Sequence, residues 1–215
     1  MRTHQLMEHA RSLASTTVQP CLSTRSIWGI QVELAAELFV QGSPCGVVLD
    51  LIKAFNVVCR AFLRALMVRL GSPSVVVDAW FASMRCLSRQ PLVACAVYRE
   101  SPSSTGIPKG DPMNIFGMFS LCCLFREVVA TQNSQAIAFS YADNWEVVVG
   151  DVNALKALRR ALDRMTQACL LPVAPAKCWT WALEAKDRSQ LRSCELADQC
   201  VPTKTTGCCL GADMS

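Results

Sequence analysis

The chain has 215 residues, 52% of them hydrophobic and 18% charged, with a formal net charge of +4 at pH 7. This composition is typical of a globular protein and excludes a disordered or collagen-like chain. The longest apolar run, residues 113–125, is shorter than the roughly 20 residues that span a bilayer, and residues 1–19 lack a secretory signal. We therefore expect an intracellular protein without a transmembrane segment, whose thirteen cysteines are reduced.

Two features dominate the first half of the chain. Residues 27–38 carry apolar side chains at helical spacing ahead of Gly42, which predicts a helix that ends there. Residues 45–51 form a short, apolar, β-branched run, which predicts a buried strand that delivers Asp50 at its end. The other predicted elements are helices over 56–70 and 74–88, a strand over 91–98, a Pro/Gly-rich loop over 100–112 and an apolar helix to about residue 129.

The second half begins with two short strands, between residues 136 and 149, on either side of a tight turn. This pattern predicts a hairpin with Asp143 at its tip. Asp151 is placed to cap a helix whose apolar stripe extends from Leu155 to Cys169, and a further strand is predicted over 177–183. The order of these elements predicts an α+β fold, in which helices cover one face of an antiparallel sheet.

Asp50 and Asp143 are the two acids whose context suggests chemistry. An antiparallel sheet can bring them together although they lie far apart in the chain. Paired carboxylates suit two Mg²⁺ ions, because hard cations prefer oxygen ligands and a metal pair clamps the attacking and leaving oxygens of phosphoryl transfer. Acids at strand ends also serve as caps or ion-pair partners, so the pattern alone leaves both interpretations open.

Basic residues follow on the next predicted helices. Two interpretations stay open for them: they track a phosphate backbone, or they form a solvated surface. The residues concerned are Arg60, Arg64, Arg69, Arg85 and Arg89.

Five segments resemble, in the same order, the motifs of reverse transcriptases. Residues 48–56 resemble L-D-x-x-K-A-F-D, residues 105–112 resemble G-x-P-Q-G-x-P, residues 141–144 resemble Y-x-D-D, and residues 171–177 and 210–211 resemble the two segments that follow. The chain is therefore similar to reverse transcriptases of the non-LTR retrotransposon type. The resemblance implies a polymerase palm, an antiparallel sheet backed by helices, with partial fingers and no thumb. Its predicted core is residues 19–211, after a poorly defined segment 1–18 and before a truncated end, 212–215.

The resemblance also implies a role for each matching residue. Asp50 and Asp143 would hold two Mg²⁺ ions, or Mn²⁺ in their place, and Asn144 would complete the catalytic turn. Lys177 would act as the general acid that protonates the leaving pyrophosphate. The nucleotide-binding residues would be Lys53, Ala54, Phe55, Gly106, Pro108, Lys109 and Gly110.

Partners and location are implied in the same way. Phe55 would exclude a 2′-hydroxyl by its bulk, which favours deoxynucleoside triphosphates as substrates. The resemblance further implies an RNA template, a DNA primer and a nuclear location, and it leaves the oligomeric state open.

The chain departs from the motifs at two positions that matter for this function. Asn144 stands where the turn usually has a second aspartate, so a neutral amide oxygen replaces a carboxylate and weaker metal binding is expected. Lys109 stands where glutamine is usual, and lysine accepts no hydrogen bond. Three functions stay open: an RNA-directed DNA polymerase, a nucleic-acid-binding module that keeps the fold without turnover, and an RNA-copying polymerase with a similar palm, against which Phe55 argues.

Overall fold

The computed structural model describes residues 44–90, 92–93, 95–97, 99–141, 143–193, 195–196, 199–205, 207–209 and 212–214. The helix predicted ahead of Gly42 and the resemblance at residues 210–211 lie outside the described residues. The predicted segment 1–18 lies outside them too, so the proposed domain boundaries stay predictions.

A five-stranded sheet forms the centre of the described chain. In spatial order its strands are Thr203–Lys204 (β11), Trp179–Ala182 (β8), Cys45–Asp50 (β1), Asn144–Val149 (β7) and Ile137–Tyr141 (β6). β1 is the middle strand and its first five residues are buried, which explains why this segment is apolar without alternation. Antiparallel pairing joins β8, β1, β7 and β6, as predicted, whereas β11 runs parallel to β8. The sheet is therefore mixed, and the predicted α+β class is confirmed.

Among the residues that the structure describes, six helices and four two-stranded pairs accompany the sheet. The helices are Ala54–Val57 (α1), Arg60–Arg69 (α2), Ser74–Ser83 (α3), Met113–Gln132 (α4), Val152–Ala168 (α5) and Ala185–Leu191 (α6). The pairs are Ser88–Arg89 (β2) with Ser101–Pro102 (β5), Leu92–Val93 (β3) with Ala96–Val97 (β4), Glu195–Leu196 (β9) with Gln199–Cys200 (β10), and Gly207–Cys209 (β12) with Ala212–Met214 (β13).

Helices α4 and α5 cover one face of the sheet. The carboxylate of Asp151 accepts hydrogen bonds from the backbone N–H groups of Asn153 (2.8 Å) and Ala154 (2.9 Å), so the predicted N-cap of α5 is confirmed. The apolar stripe of α5 is buried against β1 and β7. Phe125 of α4 stacks on Trp145 of β7, with ring centroids 4.7 Å apart. Burying each such large side chain contributes about 1.5–3 kcal/mol, so this face supplies most of the apolar stabilisation.

The opposite face carries a smaller cluster of buried apolar side chains: Val48, Phe139, Val148, Trp179 and Trp181. Gly46 belongs to this face, since a Cβ there would lie 2.7 Å from the Trp181 indole. The indole Nε1 donates a hydrogen bond to the buried Glu146 carboxylate at 3.1 Å. This aromatic face leads along β1 to Asp50.

The predicted helix over 56–70 is wrong as a single element. It consists of α1 and α2, with a break at Val58 and Cys59, which are extended. The carbonyl oxygens of Phe55 and Val58 accept hydrogen bonds from the N–H groups of Ile107 (2.6 Å) and Gly106 (2.9 Å). An uninterrupted helix would need those carbonyls for its own i to i+4 bonds, so docking of the later loop breaks the helix.

Three further predicted elements have different bounds. The helix predicted over 74–88 ends at Ser83 and continues only as a 3₁₀ turn at Met84–Cys86. The strand predicted over 91–98 is two two-residue strands, β3 and β4, joined by a turn in which Cys95 has a φ of 66°. The strand predicted over 177–183 is shorter, Trp179–Ala182.

Helix α4 is long and apolar enough to cross a membrane by length and composition alone. Its most apolar window has a mean hydropathy of 1.5, but 56% of that window is buried inside the protein. Since buried core helices of soluble proteins have the same features, this helix is weak evidence for a membrane segment.

Candidate functional site

Three of the predicted catalytic residues meet where β1 ends. Asp50 and Asn144 are register partners across β1 and β7. Their side chains therefore project from the same face, with Cβ atoms about 4.5–5.5 Å apart. Asp143 precedes Asn144 in the hairpin turn, and its carbonyl oxygen accepts a hydrogen bond from Leu51 N at 3.3 Å. The sheet thus brings Asp50, Asp143 and Asn144 to a single partly exposed end.

The segment after α5 brings the fourth predicted residue to the same place. Ile52 N donates to Pro172 O (2.7 Å), Leu51 bridges to Val173, and Ala174 N donates to Asp50 O (2.8 Å). Proline lacks an N–H group but keeps its carbonyl, so Pro172 is compatible with this contact. The segment therefore extends the pairing of β1 beyond the strand and leads to Lys177.

Lys177 forms an ion pair with Asp50. Its Nζ lies 3.6 Å from Asp50 Oδ1, and the side chains are 70% and 31% exposed, respectively. An ion pair this exposed is worth about 1 kcal/mol or less, so Lys177 can leave Asp50 at small cost. Asp50 and Asp143 carry two negative charges and Lys177 carries one positive charge. These three side chains together therefore have a single formal negative charge.

Cys178 is a contact of this site whose importance was not predicted. Its Sγ accepts a hydrogen bond from Asp50 N at 3.3 Å. Burial raises the pKa of the Cys178 thiol to about 11, and the nearby Asp50 charge acts in the same direction. The thiol is therefore protonated and packs as a small apolar group that fixes the Asp50 backbone. The only sequence signal was its position next to Lys177.

The chain turns sharply between the acids and the predicted nucleotide-binding residues. Lys53 has a φ of 48°, in the left-handed region that non-glycine residues seldom adopt. Strained backbone of this kind is common at functional sites. Ala54 follows, fully buried, as the first residue of α1, and Phe55 is partly buried against the core. The turn therefore sets the position of Phe55 relative to Asp50.

The Pro/Gly-rich loop lies against the backbone of α1. Gly106 has a φ of +73°, and a Cβ there would lie 2.4 Å from Asn56 O and 2.6 Å from Phe55 O. Any other residue would push the loop away, so glycine is required at this close approach. Pro108 and Asp111 close the next turn through a 3.3 Å hydrogen bond, with Gly110 inside it at a φ of +89°.

Lys109 occupies that turn and faces α1. Its Nζ lies 6.0 Å from the centroid of the Phe55 ring, at the outer limit of a cation–π contact. The structure therefore groups the predicted nucleotide-binding residues around Phe55, one tight turn away from the acids.

Three of the arginines that could track a phosphate backbone or form a solvated surface make contacts within the protein. Arg60 donates hydrogen bonds to the loop, and Arg64 Nε bonds Asp78 Oδ1 at 2.6 Å. Arg89 Nη2 also donates to the loop, at Thr105 O (3.0 Å). Sequence could not reveal this, because hydrogen bonds to distant backbone carbonyls leave no local pattern.

The acidic end of the sheet offers oxygen ligands but no complete protein cage for a metal. Among the described residues no group of three or more His, Cys, Asp or Glu side chains could hold an ion. Mg²⁺ commonly binds through one or two carboxylates while water and substrate phosphates complete its shell. Asp50, Asp143 and the Asn144 amide oxygen fit that mode of binding.

Comparisons with known proteins identify the fold. No family model matches the chain, and no curated protein matches it. Solved structures of telomerase from Candida tropicalis do. The apo enzyme truncated from its C-terminal domain has a TM-score of 0.66 at 9% identity over 86% of this chain and 40% of that one. The complex with a TWJ fragment of telomeric RNA has a TM-score of 0.68 at 8% identity, over 86% and 34%.

The chain thus spans well under half the length of these telomerases. Identities of 8–9% show the fold alone and leave the retrotransposon type and the roles of the site residues as predictions. The fold of the chain is similar to that of these telomerase structures.

Proposed function

We propose that the chain carries out template-directed DNA synthesis, as the palm of an RNA-directed DNA polymerase of a non-LTR retroelement. The observation that carries the proposal is the meeting of Asp50, Asp143, Asn144 and Lys177 at one end of the sheet. Three segments far apart in sequence resemble polymerase motifs and meet at this end of the sheet, which supports the proposal.

Asp50 and Asp143 would hold Mg²⁺, or Mn²⁺ in its place. When bound, the metal lowers the pKa of a hydroxyl nucleophile and neutralises charge that develops on the phosphates. The chain's own contribution is to hold both carboxylates in place. The backbone of Asp50 is fixed by two hydrogen bonds, from Ala174 N to Asp50 O and from Asp50 N to Cys178 Sγ. The backbone of Asp143 is fixed by the hydrogen bond from Leu51 N to Asp143 O.

Lys177 would donate a proton to the leaving pyrophosphate. Its weak ion pair keeps the ammonium next to the acids while leaving it free to turn towards a phosphate. Phe55 would select deoxynucleotides by excluding a 2′-hydroxyl. An RNA template, a DNA primer and deoxynucleoside triphosphates are the proposed partners, in the nucleus. The Candida tropicalis telomerase solved with an RNA fragment supports a nucleic-acid partner.

Primer extension tests the proposal directly. The 215-residue chain is incubated with poly(rA)/oligo(dT) and dTTP, with Mg²⁺ and Mn²⁺ in parallel. We expect extension that disappears in Asp143→Ala and persists in Glu195→Gln, which removes an exposed carboxylate on the β9–β10 pair. If folded wild-type protein and Asp143→Ala extend the primer equally, or neither extends it, the chain is not a polymerase by itself.

A second function, nucleic-acid binding without turnover, is favoured by the charge of the site. Asn144 is neutral, and Lys177 offsets one of the two aspartate charges. The site therefore has a single formal negative charge to attract a divalent cation. If this function is correct, Asp50→Asn leaves the affinity for primer–template unchanged. Asn144→Asp then distinguishes the two proposals: a polymerase with a weakened metal site gains extension activity, whereas a binding module gains none.

A further inference from the structure

The Arg60 side chain connects the loop 103–107 to the helices around the site. Its Nε donates to Gly106 O (2.7 Å). Its Nη1 donates to Met84 O (3.0 Å) and Ser103 O (2.5 Å), and its Nη2 to Ser103 Oγ and Thr105 O (both 3.2 Å). A guanidinium has five N–H donors in a fixed plane, and this one directs all three of its nitrogens to the loop and the adjoining 3₁₀ turn.

This arrangement depends on the guanidinium group rather than on charge alone. Lysine offers one ammonium on a flexible stem and cannot reach the same acceptors together. Burial lowers the pKa of Arg60, and the neighbouring Arg89 charge lowers it further. Arginine nevertheless stays protonated in proteins, so all its donors remain available.

The loop held by Arg60 is the one that lies against Phe55. Immediately after Gly106, the Ile107 N–H group donates to Phe55 O at 2.6 Å. Two residues further on, Lys109 places its ammonium 6.0 Å from the centre of the Phe55 ring. Arg60 therefore determines, through the Gly106 carbonyl, how closely the loop approaches the side chain proposed to face the sugar.

We propose that Arg60 is a positioning residue for sugar selection, which holds the loop so that Phe55 and Lys109 together admit a deoxynucleoside triphosphate and reject a ribonucleoside triphosphate. This inference rests on the proposed polymerase function. It adds a residue whose five hydrogen bonds go to the loop and to the adjoining 3₁₀ turn. Its action is transmitted through backbone carbonyls.

The test compares Arg60→Ala and Arg60→Lys with Arg64→Ala. Arg64 lies one turn further along α2, is 49% exposed and bonds Asp78 instead of the loop, so it is a matched control. The dissociation constants of dTTP and UTP are measured in the presence of Mg²⁺ with the full chain bound to poly(rA)/oligo(dT). Folding of each variant is checked by circular dichroism.

We expect Arg60→Ala to reduce the preference for dTTP over UTP by about tenfold, the equivalent of one lost net hydrogen-bonding contact. Arg60→Lys reduces it as well, free guanidinium ion restores part of it in Arg60→Ala, and Arg64→Ala leaves it unchanged. A merely structural role would lower stability without altering the ratio of the two constants. Arg60→Lys provides the test if Arg60→Ala does not fold.

Two outcomes separate this inference from the proposed function. If wild-type protein binds neither nucleotide, the proposed function fails and the inference fails with it. If wild-type protein prefers dTTP and a folded Arg60 variant keeps the full preference, only the positioning role is overturned.

Discussion

Gly106 lies at the closest backbone approach between the loop and α1, and replacing it with alanine tests that packing. Its φ of +73° strains any L side chain, which costs about 1–2 kcal/mol. The new Cβ would also lie 2.4 Å from Asn56 O, a backbone atom that cannot turn aside. The loop must therefore move, and the hydrogen bonds from Gly106 N to Val58 O and from Ile107 N to Phe55 O are lost.

Each of those hydrogen bonds contributes a net stabilisation of about 1 kcal/mol. Together with the strain, Gly106→Ala should lower the free energy of unfolding by about 3–4 kcal/mol. Gly110→Ala is the matched control. Gly110 has a φ of +89° in the same loop, but a Cβ there meets nothing within 4 Å. Only the strain applies, so the expected loss is about 1–2 kcal/mol.

Urea unfolding followed by circular dichroism measures both variants against wild type. The entropy that alanine removes from the unfolded chain is the same at both positions and cancels in the comparison. The difference of about 2 kcal/mol therefore reports the clash and the two hydrogen bonds. Equal destabilisation of the two variants would refute the close packing of the loop on α1.

Two further predictions concern the acidic end of the sheet. The buried Cys178 thiol, with a pKa of about 11 against an ordinary 9.0, binds its proton more tightly in the folded state. Its stabilisation is complete below about pH 9 and is lost by up to about 1.4 kcal/mol per pH unit between about pH 9 and 11, which urea unfolding at several pH values detects. Lys177→Gln removes the cation 3.6 Å from Asp50, so Mn²⁺ binding followed by electron paramagnetic resonance should tighten by about two- to fivefold.

The prediction for Cys178 and the prediction for Lys177 each have a control variant. Cys178→Ala should show a smaller loss of stability over that pH range, whereas Cys86→Ala, at an exposed thiol, should behave as wild type. An unchanged pH dependence in Cys178→Ala would contradict the assignment. Lys204→Gln removes an exposed lysine that lies over Trp179 instead of the acids. If it tightens Mn²⁺ binding as much as Lys177→Gln does, the ion pair with Asp50 has no specific effect.

The elements that were predicted correctly are those whose signals are local. The run that ends at Asp50 is apolar because β1 is buried on both faces, and the turn at Asp143 lies between two short strands. The stripe of α5 and its Asp151 cap follow from helical periodicity and from the unpaired N–H groups of a first turn. Each of these depends on neighbours a few residues away, so the sequence alone determined them.

The departures arise where distant segments compete for the same backbone groups. One helix was predicted over 56–70, but the N–H groups of Gly106 and Ile107 take two of its carbonyls. Arg60 likewise takes Met84 O, which a continued α3 would have used within the helix. Helix propensity cannot anticipate such competition, because the competing donors lie 24 to 52 positions away along the chain.

The same distinction between local signals and contacts of distant segments applies to the candidate site. Sequence by itself determined the polymerase-like order of motifs, the α+β class, and the placing of Asp50 and Asp143 at strand ends. Only the tertiary structure decided that Asp50 pairs in register with Asn144 and that Lys177 and Cys178 contact Asp50. It also decided that Arg60 donates hydrogen bonds to the loop. The physical reason is that register, ion pairs and hydrogen bonds to backbone carbonyls depend on distances across the fold, which no local pattern encodes.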